Sequence, residues 1–466
     1  MNQIDRKWNK SLIVTILALA WPTMLEEIMH TAVQYIDTAM VGSLGTYATA
    51  AVGATTTINW LVHGSIAALS VGFLARISQA HGAGDQEEAR RTAAQAVTLT
   101  VFVGVILTAL IFCISSYVPI WMQVDPGIRD LAGQYFRILY LPMLPRTASI
   151  IFATVLRAAG DTRKPMIVGI AVNLINVILN TLLIYPTQTY QLLGVSVTLP
   201  GADMGVLGAA AASAIAFAVG GIWMSIALFR HKIISPKGYS FAPDVRILKP
   251  CMKIALPNML QRFGTSFGYV AFATMINSMG EVSAAAHTVA NTVESAFYIP
   301  GYGMQTAAAT LAGNAYGAKD RKRLKDLVAL FIPIEMGLML LSGGALFFLA
   351  EPLVRIFSKS EDVIRLGTVV LRMVAVSEPF YGFPIIMEGV LQGIGNTRQP
   401  FVFNITGMWG VRIVFTFICT YLLHLGLVAA WACMIAHNLL LFGLYLGYYL
   451  SKKWNPLEKC INIPPV

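Results

Sequence analysis

Apolar runs of about 20 residues or more recur along this chain, each long enough to cross a ~30 Å hydrocarbon core. They fall near 12–40, 48–75, 93–117, 128–157, 164–185, 205–229, 248–279, 282–311, 325–350, 362–391, 400–422 and 427–450. A bilayer core offers the backbone no water, so a spanning segment must be a helix or part of a closed barrel. The runs are continuous rather than alternating, which excludes a β-barrel. The expected fold is therefore an all-α integral membrane protein with twelve transmembrane helices. Composition agrees, since only 12% of the 466 residues are charged, about half the share usual in soluble domains. The first run is too long for a signal peptide and no small-residue cleavage site follows it, so it counts as a helix.

The net charge of +10 invites a nucleic-acid reading, but the distribution of the basic residues reads as topology. With the N-terminus inside, the inner segments collect Arg6, Lys7 and Lys10, then Arg76, Arg90 and Arg91, then Arg157, Arg163 and Lys164, with further groups near 230–253, 319–325 and 452–459. The outer loops hold only Arg129, Arg355, Lys359 and Arg365. This bias places both termini in the cytoplasm, and no nucleic-acid partner is expected. Cys113, Cys251, Cys419, Cys433 and Cys460 are scattered without metal-ligand spacing and read as small packing residues. No Walker loop, nucleophile elbow or HExxH occurs, so neither an enzyme nor a cofactor is expected. The glycines of "HGAGD" at 81–85 follow a membrane helix, the wrong context for a phosphate loop.

The chain also repeats itself. "ALAWPTML" (18–25) resembles "KIALPNML" (253–260), "AHGAGD" (80–85) resembles "AYGAKD" (315–320), and "LRAAGDTRKP" (156–165) resembles "LQGIGNTRQP" (391–400), all at an offset of 235. For "GVLGAA" (205–210) and "GLVAAW" (426–431) the offset falls to 221, which puts about 14 extra residues near 187–203 in an outer loop. Two pseudo-symmetric six-helix bundles in one orientation follow, residues 1–235 and 236–466. Parallel repeats of this kind suit an alternating-access transporter with substrate bound between lobes.

Ionisable groups within spans are costly and read first as functional. On a 100°-per-residue wheel Glu26, His30, Gln34 and Asp37 fall within about 80° of one another, and Asn173, Asn176 and Asn180 within about 60°. Such groups either hydrogen-bond helices together or handle an ion. The repeat supplies a control. Their partners in the second half are Gln261, Thr265, Tyr269 and Phe272, and Met408, Val411 and Phe415, so the fold alone does not demand the polar set. Asp37 is the candidate that alternates between protonated and ion-bound states. His30 is a proton relay or a packed neutral donor. Glu294, which replaces Asn59 of the first half, contacts a cationic substrate or pairs with Arg262 or Arg412. Tyr35 and Asn173 join it as cleft candidates. Glu335, Glu378 and Glu388 fall toward helix ends by these spans, where long stems reach water cheaply.

"YIDTAMVGSLG" (35–45), the two "AxGAxD" and "GxTRxP" pairs, "AAAHTVANTVESAFYIPGYGMQTAAATLAGNAYGA" (284–318) and "GVLGAAAAS" (205–213) resemble the MATE (multidrug and toxic compound extrusion) family, over nearly the whole chain. The resemblance is to its bacterial DinF-like branch, whose first-lobe aspartate Asp37 matches. It implies the MATE fold and an antiporter in the bacterial inner membrane. Such an antiporter expels drug-like, often cationic organic compounds in exchange for H⁺ or Na⁺. Asn176 matches a family asparagine, whereas Asn180 stands in place of an ion-binding aspartate and Ser213 in place of a threonine. Na⁺ at Asp37, Asn176 and Asn180 would then lean on one carboxylate, where hard cations prefer several charged oxygens, and proton coupling is favoured. Thr265 and Tyr381 occupy the acidic positions of NorM-type members, so a second-lobe ion site is not expected. A lipid-linked oligosaccharide flippase is the alternative, and would need arginines such as Arg146, Arg262 and Arg412 facing the cleft. A monomer is expected, since one chain contains both lobes.

Overall fold

The computed structural model describes residues 3–122, 124–192 and 195–458; Cys460 and Lys459 lie outside them. In chain order the long helices are α1 (Gln3–Gly42), α2 (Thr46–Gly82), α3 (Gln86–Ile114), α4 (Pro126–Tyr140 and Met143–Ala158, bent by 50°) and α5 (Arg163–Ile184). After a hairpin come α6 (Gly205–Phe229), α7 (Val245–Asn277) and α8 (Glu281–Gly317). Then follow α9 (Arg321–Phe357), α10 (Glu361–Gly393), α11 (Arg398–Leu422) and α12 (Leu427–Leu450). Among the described residues nine helices are long and apolar enough to cross a membrane, ten with the bent α4 counted as one span. The more polar α7 and α8, 33 and 37 residues long, complete the expected twelve. Pro22 and Pro257, the repeat partners, both sit inside helices, as proline can where neighbouring helices re-satisfy the freed carbonyl.

The extra residues of the first half form a small antiparallel hairpin, Pro186–Leu192 against Val195–Ala202. Elsewhere the repeat extends to backbone torsions. Gly45 (φ 106°) has its partner in Gly280 (103°), Gly84 (77°) in Lys319 (54°) and Gly160 (83°) in Gly395 (87°), each at the offset of 235. Asp203 (52°) and His424 (51°) are partners at the offset of 221. The helix-to-helix turns are thus the same turns used twice, even where a lysine must take the left-handed conformation that suits glycine.

By contacts the chain forms two compact units. One comprises Met1–Glu27, Leu74–Asp85 and Lys249–Val466; the other comprises Ile28–Phe73 and Gln86–Leu248. In the first, Leu311, Leu324, Phe331, Met387 and Tyr445 centre one apolar cluster, and Phe272, Leu346, Leu371 and Trp431 centre another. The end of α2 packs there against the end of α8 through repeat partners. A Cβ on Gly82 would lie 2.0 Å from the Asn314 carbonyl oxygen, and one on Gly317 1.9 Å from that of Gln79. Both glycines are needed for backbones this close. Because 79 pairs with 314 and 82 with 317, the contact is reciprocal.

One expectation is corrected. Glu335 and Glu378 do not reach water from helix ends, for they are 0% and 2% exposed. α9 (Arg321–Phe357) overruns its 325–350 window, while α10 (Glu361–Gly393) nearly coincides with its 362–391 window; both acids lie about four turns or more from either helix end.

Candidate functional site

Asp37 lies near the outer end of α1, half-buried, and meets α5 within the second unit. Asn180 Nδ2 donates to Asp37 Oδ1 at 2.5 Å. Asn176, one turn earlier on α5, presents its amide to both carboxylate oxygens at 2.9 and 3.1 Å and reaches Ser213 Oγ of α6 at 3.1 Å. The spacing of Asn176 and Asn180 is what puts both amides on one face of α5. Both are buried, at 6% and 1% exposure.

The Asn176 amide can sit in either of two orientations of the same shape. With Nδ2 toward Asp37 it donates to a carboxylate, and Oδ1 accepts from the Ser213 hydroxyl. With Oδ1 toward Asp37 it accepts from a protonated acid or faces a bound cation, and Nδ2 donates to Ser213 Oγ. Asn180 Oδ1 is buried with no partner in the structure, an oxygen available to a proton-bearing water or a monovalent cation. Among the described residues no group of three or more His, Cys, Asp or Glu could hold a metal, so any cation here would rest on one carboxylate plus amide and hydroxyl oxygens.

A cavity of about 130 Å³ opens beside these groups, lined by Asp37, Thr38, Thr49, Tyr135, Asn180 and Ser213 with Val41 and Val52 among the apolar walls. Thr38, Thr49 and Tyr135 carry no signal along their own helices and are gathered only by the packing of α1, α2 and α4. Of the α1 stripe, Asp37 alone lines the cavity. His30 stacks on His63 at 6.0 Å between ring centroids, the Gln34 carbonyl accepts from Thr38 Oγ1 at 2.8 Å, and Glu26 belongs to the other compact unit. Tyr35 is exposed and Asn173 half-buried, neither of them in the cavity lining.

Glu294 is 6% exposed on α8 and within electrostatic reach of Arg412. Arg412 itself sits 4.2 Å over the Phe272 ring and 4.9 Å over Tyr269, with Nη2 2.9 Å from Met434 Sδ. Arg146 donates to Asn59 Oδ1 at 2.6 Å and packs 4.4 Å over Phe217. Each arginine is 4% exposed and held by aromatic rings of its own unit, whereas Arg262 is exposed.

A repeated bundle of membrane-spanning helices with one amide-held carboxylate beside a cavity has the build of a membrane transporter. The MatE family model matches the chain twice, over residues 22–182 and 257–418, the two starts 235 positions apart. The chain belongs to the MatE family. It is 27% identical over 439 residues to a probable multidrug resistance protein NorM of Thermotoga maritima, covering 94% of this chain and 92% of that one. It is 24% identical over 406 residues to the multidrug resistance protein MdtK of Yersinia pseudotuberculosis, covering 85% of each. A crystal structure of a MATE protein in complex with MaL6 superposes with a TM-score of 0.87 at 23% identity, covering 96% of this chain and 97% of that one. The protein is accordingly a multi-pass membrane transporter of the MATE fold and not an enzyme.

Proposed function

We propose that this transporter is a secondary antiporter that exports drug-like, often cationic organic compounds in exchange for inward H⁺ or Na⁺ by alternating access. The names of its relatives support the substrate class. The observation that carries the coupling role is the setting of Asp37: a half-buried carboxylate at a cavity, held by two neutral amides and, among the described residues, by no ion-paired cation. A lone carboxylate of this kind gains or loses an ion without first breaking a salt bridge. Loading would turn the Asn176 amide and re-order the Ser213 hydrogen bond, so that occupancy of Asp37 reshapes α1, α5 and α6 and alters affinity for substrate. This is linkage between two sites. The basic inner loops support a bacterial inner-membrane location with both termini cytoplasmic, and two lobes in one chain support a monomer.

Uptake of a fluorescent organic cation into everted vesicles tests this, with pH and Na⁺ gradients imposed separately. Asp37→Asn keeps the shape and removes the exchangeable charge. It is expected to insert at normal abundance and lose gradient-driven transport. Unchanged transport at wild-type abundance would overturn the scheme.

A further inference from the structure

The C-terminal half holds a buried cation for which the antiport scheme has no use. Arg412 of α11 is 4% exposed, and rings and a sulfur hold its guanidinium. Phe272 lies 4.2 Å from it and Tyr269 4.9 Å, measured to the ring centroids, and Nη2 is 2.9 Å from Met434 Sδ. A guanidinium keeps its proton inside a protein, and a buried charge is costly unless an opposite charge meets it. Aromatic faces lessen that cost without cancelling it. Among the described residues Arg412 makes no ion pair, and its Nε is buried without a partner. Glu294 of α8 acts on it through space, with no hydrogen bond between them.

Other donors gather round the same charge. Phe272 meets the His287 ring edge-on at 5.6 Å between centroids, and His287 meets Trp431 in the same way at 5.9 Å. Trp431 stands one turn before Met434 on α12, and His437 one turn after it. Trp431 Nε1, His287 Nδ1 and both ring nitrogens of His437 are buried without partners. The Trp431 and His437 side chains are themselves buried, at 0% and 5% exposure. Arg412 acts electrostatically on both histidines, which ties them to the guanidinium. Indole and guanidinium nitrogens only donate. The cluster thus combines a fixed positive charge with buried N–H groups that no oxygen accepts. Tyr269 is 48% exposed, so one wall of the cluster is at the surface.

The repeat again serves as a control. Arg412 and His287 correspond to Val177 and Val52 at the offset of 235, and Trp431 and His437 to Ala210 and Ala216 at the offset of 221. Not one of those four side chains can donate a hydrogen bond, so helix packing does not demand the donors of the second half. Around Arg412 the chain winds as a π-helix, Thr406–Ile413, and such turns are rare and concentrate at functional sites. Gly407, in that same stretch, makes room for His437: a Cβ there would lie 2.8 Å from Nε2.

We propose that this cluster binds one small monovalent anion of the halide class beside Arg412, with Nε and the neighbouring N–H groups as donors. Charge-assisted hydrogen bonds of this kind are the strong ones. One guanidinium balances one negative charge, and a divalent anion would leave a charge buried and unmatched. Glu294 is the rival for Arg412, since its carboxylate repels an anion held there.

The test is equilibrium binding of radiolabelled chloride to the full chain in detergent, with gluconate as the other anion. No gradient is present, so the outcome is separate from that of the Asp37 scheme, which stands or falls on transport. Saturable binding is expected, and Arg412→Gln should abolish it. Trp431→Phe keeps an aromatic ring and removes the N–H. It should weaken binding by about tenfold, the worth of one hydrogen bond to a charged group. Glu294→Gln removes the rival charge and should tighten binding. Failure of both the parent and Glu294→Gln to bind chloride saturably would overturn the proposal. So would binding that persists in a folded Arg412→Gln protein, which would be an adventitious ion only. If Arg412→Gln fails to fold, the other two variants decide, and binding that neither of them moves counts equally against the site.

Discussion

The two halves of this transporter use the same helices and turns, yet at corresponding places they carry opposite charge. In the first half Asp37 meets Asn176, Asn180 and Ser213 beside a cavity. The repeat partner of Asp37 is Phe272, 1% exposed, with the guanidinium of Arg412 stacked 4.2 Å above its ring. The partner of Ser213, at the offset of 221, is Met434, whose sulfur accepts from that same arginine. Asn180 corresponds to Phe415, which is 48% exposed. An acid held by amides has thus become an aromatic carrying a cation, with no change in the helices that support it. The difference teaches that helix packing requires neither arrangement. What packing does require is conserved between the halves: the prolines, the turn residues and the glycine contacts of α2 and α8.

The comparison is sharpened most by giving the first half a second carboxylate. Asn180→Asp adds a second charged oxygen beside Asp37, the kind of donor set a hard cation prefers. Transport in everted vesicles should become more strongly Na⁺-dependent than that of the parent protein. Transport with unaltered Na⁺ dependence would mean that the amide at 180 does not set ion choice. Next in size is the reciprocal glycine contact. Gly82→Val and Gly317→Val each drive a side chain into the facing carbonyl, within about 2 Å of a backbone atom before relaxation. Each should lower stability in detergent by about 3 kcal/mol, read as a loss of thermal midpoint. A large cost at one glycine and none at its partner would break the claim that the contact is symmetric.

Much of this was legible in the sequence, and the physics explains which part. Bilayer thickness fixes a minimum apolar length, so up to ten spans among the described residues stand out by hydropathy, while the more polar α7 and α8 do not pass on that ground. The offset of 235, first seen in short motifs, recurs in the torsions of Gly45 and Gly280, Gly84 and Lys319, and Gly160 and Gly395, because identical turns need identical backbones. A helical wheel shares out faces but knows nothing of neighbours. It groups Glu26, His30 and Gln34 with Asp37, whereas α1 passes from one compact unit to the other at Glu27–Ile28. Tyr135 and Thr49 reach the cavity from other helices, and no pattern along those helices marks them. Glu335 lies deeper than its hydropathy window suggests because that window stops short of the ends of α9, whereas Glu378 stands mid-span in both its window and α10.

Two smaller differences between the halves lie at the membrane surface. Lys319 takes the left-handed conformation that Gly84 takes in the first half, at a cost of about 1 kcal/mol for a residue with a Cβ. Lys319→Gly should therefore raise stability by about that amount and Gly84→Lys should lower it, each measured by thermal unfolding in detergent. Smaller still is the contrast between Asp161 and its partner Asn396. Burial alone would raise the Asp161 carboxyl, but His231, 3.5 Å away, and Lys164, 2.8 Å away, outweigh it and hold the group well below the usual carboxylate range. A carboxylate depressed in this way adds stability above its ordinary value of about 4, and that stability is lost as pH falls further through the folded-state value. Asn396 instead donates to the Tyr448 hydroxyl at 3.2 Å, a bond with no charge to lose. Asp161→Asn should cost at most about 1 kcal/mol at neutral pH, given how exposed Lys164 is, and the cost should fade on acidification below about pH 4. Removing the Asn396 amide with Asn396→Ala should cost the same at both pH values. If the Asp161 effect proves equally flat with pH, the ion pairs are not what fastens the first-half turn, and the charge difference between these two loops is without consequence for stability.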